Sequence, residues 1–551
     1  MKVVISCLNS KYIHASLAPW CLLSGVKAFA KNNCDVKVLE STINGNLHNF
    51  AQMIINENPH VVSFCCYIWN ITHTLEICRE IKENLDCKII LGGPEVAYRP
   101  KEVLEKYDYI DFVLSGEGEW NFPLLLDNLN DDLSIVDGLT YRNNDEIITN
   151  PEIEYTDTPP SPYSVEFYEN LKGRIAYIET SRGCPYRCAF CLSGRCSKLR
   201  FFDIEQVKKD IINLANSGTQ TLKFVDRTFN ANSKRANEIL LFIKQNYGKE
   251  IPENVCFHFE IAGDILTEDT LEILSQMPIG AVQLEIGMQS FNEETLKKIN
   301  RKTNTEKLIK NIKRLLQMGN MHIHIDLIAG LTGEDLESFK NSFNIGYLLK
   351  AHMLQMGFLK LLYGADMREN PEDFPCEYNL EPPYEVISTP WISAEEMKML
   401  KKCEDAVDRL YNSGRFLFTL DYLIDEIGIS PFALFNDFGN SVDGTNMKLS
   451  DYAVKVYEYF KNKCDEQILR EKILCDLLSC SSSVQIPESF KIRDPLYKKV
   501  KKYFIENVDK NIKIAILYST NQIFAVNQRS EKDFHGRYKG EFIKNSFILE
   551  E

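Results

Sequence analysis

Three cysteines stand close together at Cys184, Cys188 and Cys191, in the run CPYRCAFC. Their spacing is C-x3-C-x2-C, so one short loop carries three thiolates. A tetrahedral zinc site uses four ligands. Three thiolates on a loop can instead hold three irons of a [4Fe–4S] cluster and leave the fourth iron open to a small ligand. Phe190 stands just before the last cysteine. The competing chemistry is zinc. Cys196 supplies a fourth thiol, and C-x3-C-x2-C-x4-C fits a zinc knuckle or a four-thiolate cluster. Structural zinc loops usually pair two closely spaced cysteine couples, a pattern this run lacks.

The surrounding chain must position that loop. Arg174 to Thr180 reads as a strand entering it. Strands then follow at Thr221–Asp226, Val255–Ile261, Ala281–Gly287, His322–Ile328 and Met353–Leu361, with helical spacing between them. CPYRCAFC resembles the cluster motif of the radical S-adenosylmethionine (SAM) superfamily, and about six βα units fit that family's partial barrel. The resemblance implies that the open iron binds the amino and carboxylate groups of SAM. One electron then cleaves SAM to a 5′-deoxyadenosyl radical. It also implies roles for residues at the strand ends. Asp226 stands where the family receives the SAM ammonium, and Glu260 is placed to reach the ribose hydroxyls. Ile286-Gly-Met-Gln-Ser-Phe291, with Leu296 and Arg301, is similar to the family's fourth-strand segment. There Gly287 allows close approach of the cofactor and Gln289 bonds ribose or carboxylate. Asp326 and Gly330 follow the fifth strand, near the adenine. For each of these polar residues an ordinary hydrogen bond inside the barrel is the competing reading. His322 and His324 share a strand face and read as barrel-lining or helix-facing groups, with a metal pair as the alternative.

Residues 1–145 alternate strands and helices, which predicts a doubly wound α/β domain with ligands at the carboxyl ends of its strands. The strands are Lys2–Cys7, Asp35–Glu40, His60–Cys66, Lys88–Gly92 and Phe112–Ser115. No GxGxxG follows the first strand, which disfavours nicotinamide. The Leu91-Gly-Gly-Pro94 and Ser115-Gly-Glu-Gly-Glu119 loops resemble those of the cobalamin-binding domain fused to many radical SAM proteins. The resemblance implies that Gly92, Gly93, Pro94, Ser115, Gly116, Glu117 and Gly118 line the corrin and its nucleotide tail. Related cobalamin proteins carry D-x-H-x-x-G after the first strand. This chain has Tyr12 and Leu17 where that pattern has Asp and Gly. His14 is therefore either the lower cobalt ligand or a loop histidine bonded to backbone or solvent. Tyr67 and Trp69 either wall the corrin or pack at the sheet edge.

The 551 residues have the composition of a globular protein of several domains. A net charge of -15 argues against a general polyanion-binding surface. The 17 cysteines are scattered outside the cluster loop and read as reduced thiols of a cytoplasmic protein. No signal peptide and no membrane-spanning run is evident. The expected organisation is a cobalamin domain at 1–145, a linker at 146–170, a radical SAM barrel at 171–370 and a mostly helical region at 371–551. That last region resembles the uncharacterised C-terminal region of one subgroup of cobalamin-binding radical SAM proteins. Its features are a capped helix from Ser393, a hairpin at Ile512–Ser519 and Gln522–Val526, buried helix thiols at Cys475 and Cys480, and a lysine cluster at 498–513. That cluster reads as a solvated helix face, with RNA docking as the alternative.

The resemblance implies a [4Fe–4S] cluster, SAM and cobalamin, and an electron donor of the flavodoxin or ferredoxin type. The reaction it implies is methylation of an unactivated carbon through methylcobalamin. Cobalamin-dependent rearrangement, cyclisation or redox chemistry is the first alternative, and a non-catalytic corrinoid and cluster sensor the second. The substrate, whether small molecule, peptide, lipid or tRNA, has no motif.

Overall fold

The computed structural model describes residues 1–171, 173–195, 198–480 and 485–544. The chain divides into two compact units, Met1–Leu284 with Lys297–Asn304 and Leu359–Ile387, and Glu285–Leu296 with Thr305–Phe358 and the chain from Ser388.

The first unit opens with a seven-stranded sheet. Its strands are β1 (Lys2–Asn9), β2 (Asp35–Thr42), β3 (Val61–Cys65), β4 (Lys88–Gly92), β5 (Phe112–Leu114), β6 (Leu139–Asn143) and β7 (Glu146–Thr149), in the order β2-β1-β3-β4-β5-β6-β7. The first five are parallel, and β6 and β7 add antiparallel at one edge. Strand β1 is buried from Val3 to Asn9, as a central strand covered on both faces must be. Helices Leu47–Asn56 and Ile71–Asn84 press Phe50, Ile54, Ile77 and Ile81 against Val4, Val62, Phe64 and Leu91. Each such buried side chain contributes about 1.5–3 kcal/mol. The order β2-β1-β3 reverses direction between β1 and β3, and a doubly wound sheet opens a crevice at that point. The sequence places a linker at 146–170. The structure instead gives β7, so β6 and β7 complete the sheet, and a helix at Val165–Leu171.

The barrel sheet has six strands in the order β15-β14-β13-β12-β11-β8. They are β8 (Ala176–Ile178), β11 (Thr221–Phe224), β12 (Cys256–Ile261), β13 (Val282–Gln289), β14 (His322–Ala329) and β15 (Met353–Phe358). All six expected strands are present. Between β8 and β11 a short ribbon pairs β9 (Ser181–Arg182) antiparallel with β10 (Arg200–Phe201). The cluster loop is the excursion between those two strands.

In the second unit, Ser393 caps helix Ala394–Val407 with a full capping box to Glu396. Helices Pro431–Ser441, Leu449–Phe460, Glu466–Cys480 and Pro495–Asn507 follow. The expected hairpin forms at Ile512–Leu517 and Gln522–Asn527, and a third antiparallel strand, Gly540–Lys544, joins it. The lysine cluster falls mainly on helix Pro495–Asn507, which packs Val500 and Phe504 against that sheet. Cys475 is buried and Cys480 half-buried. No described helix is long and apolar enough to cross a membrane.

Candidate functional site

The cluster loop is held at its base and its middle. Gly183 has φ +99, and a Cβ there would meet Lys198 O at 2.5 Å, so the residue before Cys184 must be glycine. Ala189 N donates to Ile299 O at 2.9 Å, and Met367 N donates to Ala189 O at 3.0 Å. Behind the loop, Asp226 accepts from Thr180 N at 2.9 Å, Thr180 Oγ1 at 2.7 Å and Ser181 Oγ. Cys188 is buried, Cys184 and Cys191 are half-buried, and all three are free thiols. Cys184 Sγ lies 3.4 Å from Thr228 Oγ1. Burial pushes the Cys188 thiol up, and Arg301, whose Nη1 lies 3.8 Å from Cys188 Sγ, works against that shift. Soft, reduced sulfur donors on one anchored loop, with a cation beside the buried one, fit an iron–sulfur cluster. Among the described residues no three His, Cys, Asp or Glu side chains gather closely enough to share a single metal ion. Cys196 lies outside the described residues.

Beside this loop the first unit holds a cavity of ≈ 650 Å³ at the carboxyl ends of β1, β3, β4 and β5. Of the residues expected to hold cobalamin, His14, Tyr67, Trp69, Gly92, Gly93, Gly116, Glu117 and Gly118 line it. Ser115 and Pro94 do not. Ser115 is buried with Oγ donating to Ala97 O at 3.1 Å, and Pro94 opens the short helix Pro94–Ala97. Tyr67 and Trp69 stack with ring centroids 4.5 Å apart and planes 4° apart. Trp69 Nε1 donates to Leu8 O, and buried Asn70 fixes the turn by accepting from Tyr67 N and donating to Leu8 O and Cys65 O. Gly93 has φ +101, and a Cβ there would meet Cys66 O at 2.5 Å. A wide cavity with a flat aromatic pair and bare glycine backbone fits a large planar group.

His14 Nδ1 lies 2.6 Å from Tyr177 Oη, and burial lowers the imidazole's pKa. The His14 loop is fastened to the start of β8. Ile175 N donates to Ile13 O, and Arg174 donates to Tyr12 O and His14 O and pairs with Glu40 at 2.9 Å.

Sequence reasoning missed Tyr177, Glu179, Arg182 and Arg227, which also line the cavity. Arg182 bonds Glu117, Glu119 and Glu179. Burial favours a neutral Glu119, but Arg182 outweighs it and holds the carboxyl below its usual range. Nothing local flags Arg182, whose partners Glu117 and Glu119 lie 65 and 63 residues away.

The expected SAM contacts divide between the units. In the first, Asp226 is fully enclosed and spends its oxygens on Thr180 and Ser181, so the structure makes it the anchor of the strand entering the cluster loop. Burial pushes its carboxyl up to about 6. Glu260 pairs with Lys223 at 3.2 Å. In the second unit Gln289 ends β13 with φ +68, and its Oε1 is buried with no hydrogen-bond partner among the described residues. A strained residue with an orphaned acceptor at a strand end fits a site that receives a donor from a ligand. Gly287 lies two residues earlier on β13. Asp326 Oδ1 lies 2.9 Å from His324 Nε2, and His322 stacks on His352. Sequence reasoning also missed Glu334. It is fully buried, accepts from Ser290, Ser338 and Ser342, and is pushed up to about 7 by burial.

Fold and site define a radical SAM barrel joined to a cobalamin-type domain. Residues 178–344 match the radical SAM superfamily, residues 13–126 the B12 binding domain, and residues 372–544 a protein family of unknown function, DUF4080. The chain is a cobalamin-binding radical SAM protein with an uncharacterised C-terminal domain. The cofactors of this architecture are a [4Fe–4S] cluster, SAM and cobalamin. Among curated proteins, the chain is 28% identical over 323 residues to a 2-(S-pantetheinyl)-carbapenam-3-carboxylate methyltransferase of Streptantibioticus cattleyicolor, covering 53% of this chain and 45% of that protein. It spans about half the length of the curated relatives it matches. Among solved structures it is similar to the cobalamin-dependent SAM radical enzyme OxsB with aqua-cobalamin bound, with TM-score 0.60 and 15% identity over 92% of this chain and 76% of that one. It is also similar to the radical SAM methyltransferase TsrM from Kitasatospora setae, with TM-score 0.55 and 17% identity over 66% of this chain and 74% of that one. These two likenesses show the fold alone.

Proposed function

We propose that this protein is a cobalamin-dependent radical SAM methyltransferase acting on an unactivated carbon. The observation that carries the reading is a shared wall. Glu179, just after β8, and Arg182, on β9 before Cys184, also line the cavity expected to take cobalamin. When bound, the cluster with SAM supplies a hydrogen-abstracting radical, and cobalamin supplies a methyl group to a carbon radical that cannot readily take one from SAM.

The chain's own residues hold, orient and shield. Cys184, Cys188 and Cys191 are the cluster thiolates, and Arg301 favours the ionised form of Cys188. Asp226 fixes the approach to the loop through Thr180 and Ser181. Gln289 Oε1 offers an acceptor to a polar group of SAM. Tyr67 and Trp69 present a flat wall to the corrin, with His14, Gly92, Gly93, Gly116, Glu117 and Gly118 around it. A flavodoxin- or ferredoxin-type protein supplies the electron in a reducing cytoplasm. The methyltransferase names among the relatives support this reading.

The test is anaerobic reconstitution with iron, sulfide and cobalamin, followed by mass spectrometry of the SAM products after reduction. Both 5′-deoxyadenosine and S-adenosylhomocysteine are expected, and Cys188→Ala abolishes the first. If 5′-deoxyadenosine forms alone with cobalamin bound and reduced, methyl transfer falls and a rearrangement, cyclisation or redox reaction takes its place. If SAM is not cleaved at all, the enzyme reading falls.

A further inference from the structure

The loop at Gly116–Glu117 and the first turn of helix Gly118–Asp127, which carries Glu119, border the cavity, and Arg182 stands two residues before Cys184. One guanidinium joins them. Arg182 Nη1 donates to Glu117 Oε2 at 2.7 Å, and Nη2 donates to Glu119 Oε1 at 2.8 Å. Nε and Nη2 donate to the two oxygens of Glu179 at 2.9 and 2.7 Å. Four of the five N–H groups an arginine has are committed. Arg200 then grips the same Glu117, with Nη2 3.0 and 2.8 Å from its two oxygens. Arg200 and Arg182 are directly paired across the β9–β10 ribbon. That ribbon is the base from which the loop bearing all three cluster cysteines leaves and to which it returns. Both strands of the base are thus fastened by arginine to one loop of the cavity wall.

We infer that Arg182, with Arg200 opposite it, is a positioning residue that makes the cavity loop and the base of the cluster loop one unit, so that filling the cavity with cobalamin is felt at the cluster. The inference rests on the cofactor set given above. Its physical basis is charge and geometry. Glu117, Glu119 and Glu179 are three carboxylates around one cation, and Glu119 is nearly enclosed. Without the cation they repel, and the loop carrying Glu117 with the helix start carrying Glu119 must move outward or take up protons. A lysine keeps the charge but cannot bridge three carboxylates with a planar fork. Two sites coupled this way shift each other's states reciprocally. The test therefore reads one site while the other is filled.

The experiment uses the full chain with its cluster reconstituted anaerobically. The EPR spectrum of the reduced cluster is recorded with and without cobalamin for the wild type, Arg182→Lys, Arg182→Gln and Lys27→Gln. Lys27→Gln removes only an exposed pair with Glu166. In the wild type and Lys27→Gln, cobalamin is expected to shift the cluster spectrum. In both Arg182 variants the cluster is retained, cobalamin binds about tenfold more weakly, and the shift is lost. A merely structural role would lower cofactor content without erasing the shift in the molecules that remain loaded. If Arg182→Gln does not fold, Arg182→Lys decides. A full shift in Arg182→Lys, or none in the wild type, overturns the inference. A wild type that takes up neither cofactor overturns the cofactor reading and the inference with it, an outcome distinct from the other two.

Discussion

Two regions of the molecule bury a carboxylate against an arginine, and they do so to different ends. In the C-terminal region Asp476 is fully enclosed and accepts from Phe418 N, Thr419 N and Thr419 Oγ1. Arg537 Nη2 lies 3.0 Å from it, and Arg537 Nη1 donates to Gly414 O. The charges there are spent on backbone and tie a helix start to the segment before the last strand. At the cavity, Arg182 gathers three carboxylates that come from a ligand-facing loop and from the approach to the cluster thiols. Burial of charge does not by itself mark a working site. What distinguishes the second node is that its members also face open space.

The comparison breaks first at Asp476. Asp476→Ala leaves Arg537 buried without its partner, which costs about 3–5 kcal/mol. Urea unfolding of the full chain should show that loss, while the folded fraction keeps wild-type cobalamin affinity. A loss of cobalamin affinity in the folded protein would erase the distinction between the two nodes.

Next in size is Gly93→Ala. It puts a side chain at φ +101, where it meets Cys66 O at 2.5 Å. The backbone strain alone costs about 1–3 kcal/mol, and the loop between β4 and the cavity must shift to relieve the contact. Cobalamin binding is expected to weaken at least tenfold, read by equilibrium titration of the absorbance spectrum, with cluster content unchanged. Unaltered binding would mean that the glycine serves the fold and not the cavity.

A third prediction sharpens the contrast through pH. Glu334 is pushed up to about 7 by burial, well above its value in the unfolded chain. Between pH 4.5 and 7 the native state then holds more protons than the unfolded state, so its contribution is fully present below about 4.5 and is lost as pH rises through about 7. The span is on the order of 3 kcal/mol. Glu334→Gln should flatten the fall in melting temperature across that window, read by thermal unfolding at stepped pH. A wild type whose stability is level from pH 4.5 to 7 would sink the assignment.

These residues also show what the sequence made legible. Short buried strands such as Lys88–Gly92 could be read from their apolar runs, because a strand covered on both faces needs no partner to declare itself. The cluster loop could be read because its chemistry is local, three thiols within eight residues. Strands β6 and β7 were hidden in a polar stretch. Their turn at Asn144, with φ +53, was the one signal there, and it resembles linker composition. The third C-terminal strand, Gly540–Lys544, has an exposed, mixed sequence and pairs with a strand already explained as half of a hairpin. Asp226 illustrates the limit at the site itself. It stands at a strand end where a ligand is expected, yet β11 stops at Phe224 and the carboxylate turns to Thr180 and Ser181. Sequence order places a residue near a site but does not say which neighbour its side chain chooses.

The smallest expected effect concerns such a choice. His14 Nδ1 and Tyr177 Oη are 2.6 Å apart, and burial lowers the imidazole's pKa, which favours its neutral form. A neutral imidazole carries one N–H, so Tyr177 decides which nitrogen has it. A phenol is the better donor of the two groups, which favours the tautomer in which Oη donates to Nδ1 and Nε2 keeps the proton. In that tautomer Nε2 has no lone pair for cobalt, and the expectation to test is that His14 lines the cavity wall and leaves cobalt without a histidine ligand. Tyr177→Phe removes one hydrogen bond, worth about 1 kcal/mol or roughly fivefold in cobalamin affinity. It also releases the tautomer, so Nε2 can become the bare nitrogen. EPR of the cobalt(II) cofactor should show no histidine nitrogen splitting in the wild type, whereas splitting can appear in Tyr177→Phe. Splitting already present in the wild type, and absent in His14→Ala, would make His14 a ligand with its proton on Nδ1, and would move Tyr177 from donor to acceptor.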